Sequence, residues 1–256
     1  GKDALTSSGY QYSQSSQAVI FDVYNTLFNN DAANWIATFE DITQTQKLPV
    51  LAEELWVAWR TFESQFRLTR NALDDQGKLP AFKTYQQAWY ESFGHAFEEL
   101  GVDGSPEQAA EMSVDALAKR NPYQDTLQLL EFVKNRWKSA VLTNADNRSL
   151  FPLLRYNELE FDSILTSEIA QSYKPDGKIF NNILDDLDVL PDEAIYIGDT
   201  LLDDIHGAKA AGISAVWINR NGSDRDHSLL QPDNEITSLN QLPEILEKIN
   251  EIKCHD

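Results

Sequence analysis

Four short segments of the 256-residue chain place a residue able to do chemistry beside an apolar run or in a tight loop. Ala18, Val19, Ile20 and Phe21 run into Asp22, with Thr26 four residues later, and Ser139 to Leu142 run into Thr143-Asn144. The loop Ser172-Tyr173-Lys174-Pro175 carries a lysine, and Ile195 to Ile197 run into Gly198-Asp199, followed by Asp203 and Asp204. A carboxylate nucleophile needs nearby positive charge, and hydroxyl or amide donors for the group it attacks or expels. Asp22 is the candidate nucleophile; Lys174, Thr143 and Asn144 are the helper types. The second acidic cluster can join Asp22 in holding a divalent cation, since Mg²⁺ takes one or two carboxylates and keeps several waters; alternatively it activates a water. Singly, each residue has a plainer role: Asp22 and Thr143 as caps, Lys174-Pro175 as a turn, Asp203-Asp204 as acids at a helix start. Their order at four strand ends argues for one site.

An apolar, β-prone run of this kind reads as a strand buried on both faces, which in an α/β protein is a central parallel strand. Open α/β sheets bind ligands outside the carboxyl ends of their strands, where these polar residues fall. After Asn29 the pattern turns helical for about ninety residues. Leu55, Trp59, Phe62 and Phe66 form one apolar stripe, Tyr85, Trp89, Phe93 and Phe97 a second, and Ser105-Pro106-Glu107-Gln108 opens a third helix with a capping box. From Asn121 strands and helices alternate, with helices expected at 125–136, 177–187, 202–211 and 240–252 and a further buried strand at Ser214 to Ile218. This predicts an α/β fold, a Rossmann-like parallel sheet with helices on both faces, in which residues 17–29 and 121–256 form the core domain and residues 30–120 an inserted α-helical cap.

Residues 1–16 are polar and Ser/Gln-rich and read as a flexible leader. A net charge of −20 without a Lys/Arg cluster argues against nucleic acid as a partner, and no apolar run approaches the length of a membrane span. The one cysteine, Cys254, excludes an internal disulfide, so the protein reads as cytoplasmic.

The four segments, FDVYNTL (Phe21 to Leu27), LTNAD (Leu142 to Asp146), SYKPD (Ser172 to Asp176) and IGDTLLDDIHGAKAAG (Ile197 to Gly212), resemble the four motifs of the haloacid dehalogenase-like hydrolases. The resemblance implies a helical cap inserted after the first motif and a covalent ester on Asp22. Phosphatases of that superfamily carry a second Asp two residues after the nucleophile, as acid and base; here the position is Tyr24. An alkoxide leaving group needs a proton, whereas halide needs none. A Tyr there resembles the 2-haloacid dehalogenase branch. The same branch implies Arg60 on the substrate carboxylate or halide, Tyr85 and Asn144 around the departing halide, and Thr26 and Tyr24 among the substrate-contacting residues. It implies Lys174 and Thr143 beside the nucleophile, Asp204 on the hydrolytic water, and Asp203 as an exposed neighbour. Dimers formed through cap surfaces are common there, so a homodimer is compatible.

Two features pull the other way. Asp199 stands where those dehalogenases have Ser-Ser-Asn, in the form of metal-binding phosphatases, and Phe180 replaces a Tyr. The favoured expectation is a hydrolase of small 2-haloalkanoic acids that needs no cofactor. The alternative is a Mg²⁺-dependent phosphatase with Asp22 and Asp199 on the metal, and the third is a silent binding protein with the same fold. All three take a small anionic molecule as partner.

Overall fold

The computed structural model describes residues 17–255; the leader expected at 1–16 lies outside the described residues. Six parallel strands make one sheet: β1 (Ala18–Phe21), β2 (Lys138–Thr143), β3 (Ser163–Thr166), β4 (Ala194–Gly198), β5 (Ser214–Ile218) and β6 (Asn234–Ile236), in the order β3-β2-β1-β4-β5-β6. This is the doubly wound Rossmann order. β1 lies at its centre with all four residues inaccessible, because both faces are covered. Ile20, Leu142, Tyr196 and Trp217 face one helical layer, whereas Phe21, Val141, Ile197 and Val216 face the other. The alternation follows from the two-residue period of a strand.

Over residues 30–120 the chain makes four helices: α1 (Ala32–Gln46), α2 (Ala52–Thr69), α3 (Tyr85–Leu100) and α4 (Pro106–Leu117). They enclose a hydrophobic cluster of their own around Phe39, Leu55, Trp59, Trp89 and Phe93. Of the two expected stripes, Leu55, Trp59, Trp89, Phe93 and Phe97 are buried, while Phe62 is half-buried and stacks on His95 with ring centroids 5.0 Å apart. α3 starts at a capping box on Thr84, whose hydroxyl accepts from the Gln87 N–H, and ends at Gly101 in the left-handed region at φ 64°.

The remaining helices are α5 (Thr126–Val133), α6 (Asn147–Tyr156), the single turn α7 (Ser167–Ala170), α8 (Gly177–Leu187), α9 (Gly207–Ala210) and α10 (Leu242–His255). The helix expected over 202–211 is in fact two pieces. A π-helical turn over Leu201–His206 precedes α9, and the N–H groups of both Asp204 and Ile205 reach back to the Thr200 carbonyl, at 3.0 and 3.2 Å. Such wide turns re-aim side chains and are frequent at functional sites. Among the described residues no helix is long and apolar enough to cross a membrane.

Candidate active site

The strand order reverses between β1 and β4, the crevice in which open α/β sheets hold their ligands. The Asp22 N–H donates to the Ile197 carbonyl (2.9 Å), so pairing with β4 carries the chain one residue beyond β1 and sets the carboxylate at that crevice. The residue is 7% exposed. Its Oδ2 accepts from the Thr26 hydroxyl (3.0 Å) and its Oδ1 from the Lys174 ammonium (3.0 Å).

Lys174 is the hub. Its Nζ also donates to Asp204 Oδ1 (2.7 Å), the Tyr196 hydroxyl (2.8 Å) and the Leu142 carbonyl (3.1 Å), four acceptors sharing three protons. Tyr196 in turn donates to Asp204 Oδ1 (2.6 Å), and the Thr200 N–H holds Asp204 Oδ2 (3.0 Å). Burial alone would lower the lysine's pKa, but Asp204 and Asp22 outweigh it and hold the ammonium protonated above its usual range. Burial and the Asp22 charge push Asp204 up to about 6. Burial, with Asp22 and Asp204 beside it, raises Asp199 well above the usual carboxylate range. Gly198 permits this crowding: a Cβ there would lie 2.4 Å from the Asp204 Cγ.

Asn144 positions the lysine loop from the next strand end. Its Oδ1 accepts the Lys174 N–H (2.8 Å) and its Nδ2 donates to the Lys174 carbonyl (3.4 Å). Thr143 is buried, with its hydroxyl accepting from the Ala145 N–H (3.1 Å).

Above these strand ends a cavity of 350 Å³ opens toward the inserted helices, and Asp22, Tyr24, Arg60, Tyr85, Thr143, Asn144, Lys174, Asp199 and Asp204 all contribute to its wall. The structure thus brings the sequence-derived candidates together, with two differences. Thr26 is fully buried and bonds to Asp22 and, at 3.4 Å, Asp199, so it anchors the carboxylates from below instead of lining the cavity. Asp203 is no exposed neighbour: the π-helical turn directs it to the end of α2, where it pairs with Arg70 at 3.1 Å.

Arg70 was not marked by any motif. Its side chain is 4% exposed, donates to the Tyr85 hydroxyl (2.7 Å) and to Asp203, and lies 4.5 Å over the Tyr173 ring. Arg60, Glu63, Arg67 and Arg70 recur at spacings of three and four, a charged stripe along one side of α2 from which a buried end is recognisable. Arg60 itself is exposed at the cavity wall, its guanidinium 4.5 Å over Trp56. Asp146, quoted only as the end of a motif, is buried and accepts from the N–H groups of Tyr85 (2.8 Å) and Gln86 (2.9 Å), clamping the start of α3 to the core. Tyr196 brings a phenolic hydroxyl to Lys174 and Asp204, and Phe180 packs edge-on against its ring with centroids 5.6 Å apart.

Tyr24 is tied to the inserted helices. Its hydroxyl donates to the Leu117 carbonyl at the end of α4 (3.0 Å), and burial drives its pKa far above the ordinary tyrosine value. The position two residues after Asp22 therefore holds a phenol tied to a carbonyl at the end of α4.

The sequence model for haloacid dehalogenase-like hydrolases matches residues 19–218. The chain belongs to the haloacid dehalogenase-like hydrolases. It is 26% identical over 238 residues to (S)-2-haloacid dehalogenase 1 of Pseudomonas sp. (strain CBS-3), covering 92% of this chain and 98% of the relative. It is 33% identical over 127 residues to the glyceraldehyde 3-phosphate phosphatase of Pyrococcus furiosus, covering 48% of this chain and 52% of that one. Among solved structures, the hydrolase YfnB of Bacillus subtilis bound to magnesium superposes with a TM-score of 0.75 at 20% identity, over 91% of this chain and 99% of YfnB. The family's Rossmann-like sheet and hydrolase class therefore hold for this protein.

Proposed function

We propose that this hydrolase releases halide from 2-haloalkanoic acids through an ester formed on Asp22. The observation that carries the reading is the locked Tyr24 hydroxyl: the site has no acid at that position for an alkoxide, and halide requires none. A full-length relative that is a 2-haloacid dehalogenase supports it. An Asp22 oxygen attacks the halogen-bearing carbon in line, a C–O bond forms, and the C–halogen bond breaks with its electron pair leaving as halide. Arg60 receives the substrate carboxylate, since its planar fork suits that group. Tyr85 and Asn144 flank the departing halide, while Lys174, with Thr143 alongside, holds Asp22 through its ion pair. Water then adds to the Asp22 carboxyl carbon and gives up its proton to Asp204, freeing a 2-hydroxy acid. A base held at about 6 is ionised and yet effective near neutrality.

A second reading rests on the clustered carboxylates. Asp22, Asp199 and Asp204 each offer an oxygen, all within 4.8 Å of one another, and Lys174 is their shared cation. Three carboxylates against one ammonium call for a further proton or a cation. Asp199, less buried than Asp204, is the better partner for Asp22 on Mg²⁺. Bound there, Mg²⁺ would offset the charge of a phosphate monoester. In the dehalogenase reading, a proton on Asp199 does the same service.

Halide release from racemic 2-bromopropionate in excess chelator separates the two. Retained release is expected, falling on the acid side below about pH 6 as Asp204 takes up a proton, by about tenfold per pH unit. Chelator-sensitive release of phosphate from a monoester, with no halide from the bromoacid, would instead establish the phosphatase.

A further inference from the structure

The cavity is large for a two- or three-carbon haloacid. At 350 Å³ it falls at the small end of the range, roughly 300–1,000 Å³, of pockets that enclose drug-sized ligands. A volume of about 30 Å³ per water means that a haloacid of about six heavy atoms leaves much of it to solvent. Four indoles contribute to its wall beside the polar groups: Trp35, Trp56, Trp59 and Trp89. Trp35 packs on Trp59 and Trp89 with centroids 5.3 and 5.4 Å away, and Trp35 and Trp56 keep part of their surface free.

The charges in the same wall are nearly all committed. Lys174 is held by Asp22 and Asp204, Arg70 by Asp203, and Arg67 by Glu63 at 2.7 Å. Arg60 is the cation of the wall without a carboxylate partner among the described residues, and it sits against Trp56. A ligand matched to this wall carries one anionic charge and a sizeable apolar body.

Building on the dehalogenase reading, we infer that the substrates are 2-halo monocarboxylates whose 2-substituent is bulky and aromatic, seated against the Trp35 and Trp56 indoles while Arg60 takes the carboxylate. Offset or edge-on packing between such rings adds to the area they bury. A pocket that discriminates by roughly tenfold or more for one methylene should discriminate at least as well for a phenyl group.

The test compares 2-bromo-3-phenylpropanoate with 2-bromopropionate, which differ only by a phenyl group on a carbon that does not react. The kcat/KM for halide release should be at least about tenfold higher for the phenyl compound, and Trp56→Ala should narrow that ratio. Binding of the halogen-free acids is read alongside by calorimetry, with 3-phenylpropanoate expected to bind tighter than propionate by a similar factor. Equal or better turnover and binding of the small acids would overturn the inference and leave the reaction standing. Absence of halide release from both compounds, with 3-phenylpropanoate still bound tighter, would sink the reaction while retaining the aromatic pocket. Failure of both acids to bind and both bromoacids to react would refute the two together.

Discussion

Asp22→Asn is expected to abolish halide release, by about 10⁴-fold or more, while leaving the protein folded. The carboxamide oxygen carries no formal charge and its nitrogen has no free pair to give, so the first displacement has no nucleophile. Folding should survive, because the substitution removes one of three carboxylates that share a single ammonium. Like charges at this separation oppose one another's ionisation, so relief of the crowding offsets the lost ion pair. The two readouts are halide release and the thermal unfolding midpoint. A midpoint unchanged or raised beside lost turnover identifies Asp22 as a reacting group, and retained turnover would place the nucleophile elsewhere.

The second large effect is expected at Lys174. Lys174→Met removes the counter-charge of two buried carboxylates, Asp22 and Asp204, from a position where the lysine side chain is 3% exposed. Breaking a buried pair by deleting one partner typically costs about 3–5 kcal/mol, because a charge is left uncompensated. Asp22 and Asp204 are then left repelling one another with nothing between them, and Asp22 loses the ion pair that orients it for attack. Loss of stability in denaturant and loss of turnover are expected together. Adding Asp204→Asn to this variant should restore a good part of the stability, since one of the stranded charges is gone, without restoring turnover. Turnover in either variant at near the parental rate would show that Lys174 does not hold Asp22 in its working state.

Much of this site was legible in the sequence because its chemistry sits at strand ends. A buried parallel strand has a strong apolar signature, and the polar residue that stops it falls on one edge of the sheet. Asp22, Thr143-Asn144 and Asp199 were placed by that logic, and the structure gathers them beneath one cavity. β3 and β6 carried weaker signals: β6 is three residues long with only Ile236 buried, too short for a period to register. α1 escaped separate notice although Asp31 caps it, accepting from the Asn34 N–H, and Trp35, Phe39 and Ile42 mark its inward face.

The residues missed share a different property. Arg70 and Asp146 act through contacts between segments far apart in the chain, and no local pattern encodes a partner 133 residues away, as Arg70 has in Asp203. Tyr196 alternates inward along β4 and is indistinguishable by pattern from a core aromatic until its hydroxyl is seen on Lys174. Phe180 packs edge-on against Tyr196, the residue that brings a phenolic hydroxyl to Lys174.

The most direct test of an ester on Asp22 is to run many turnovers of a 2-bromo acid in ¹⁸O-labelled water and weigh the peptides. Water that adds to the Asp22 carboxyl carbon leaves solvent oxygen in that side chain, because the product departs with an oxygen that Asp22 first contributed. Repeated turnover should therefore enrich the Asp22 peptide in ¹⁸O, with the peptides bearing Asp199 and Asp204 unlabelled. Label in the hydroxy acid from the first turnover, with none in Asp22, would mean that water attacks the substrate directly and that no ester forms.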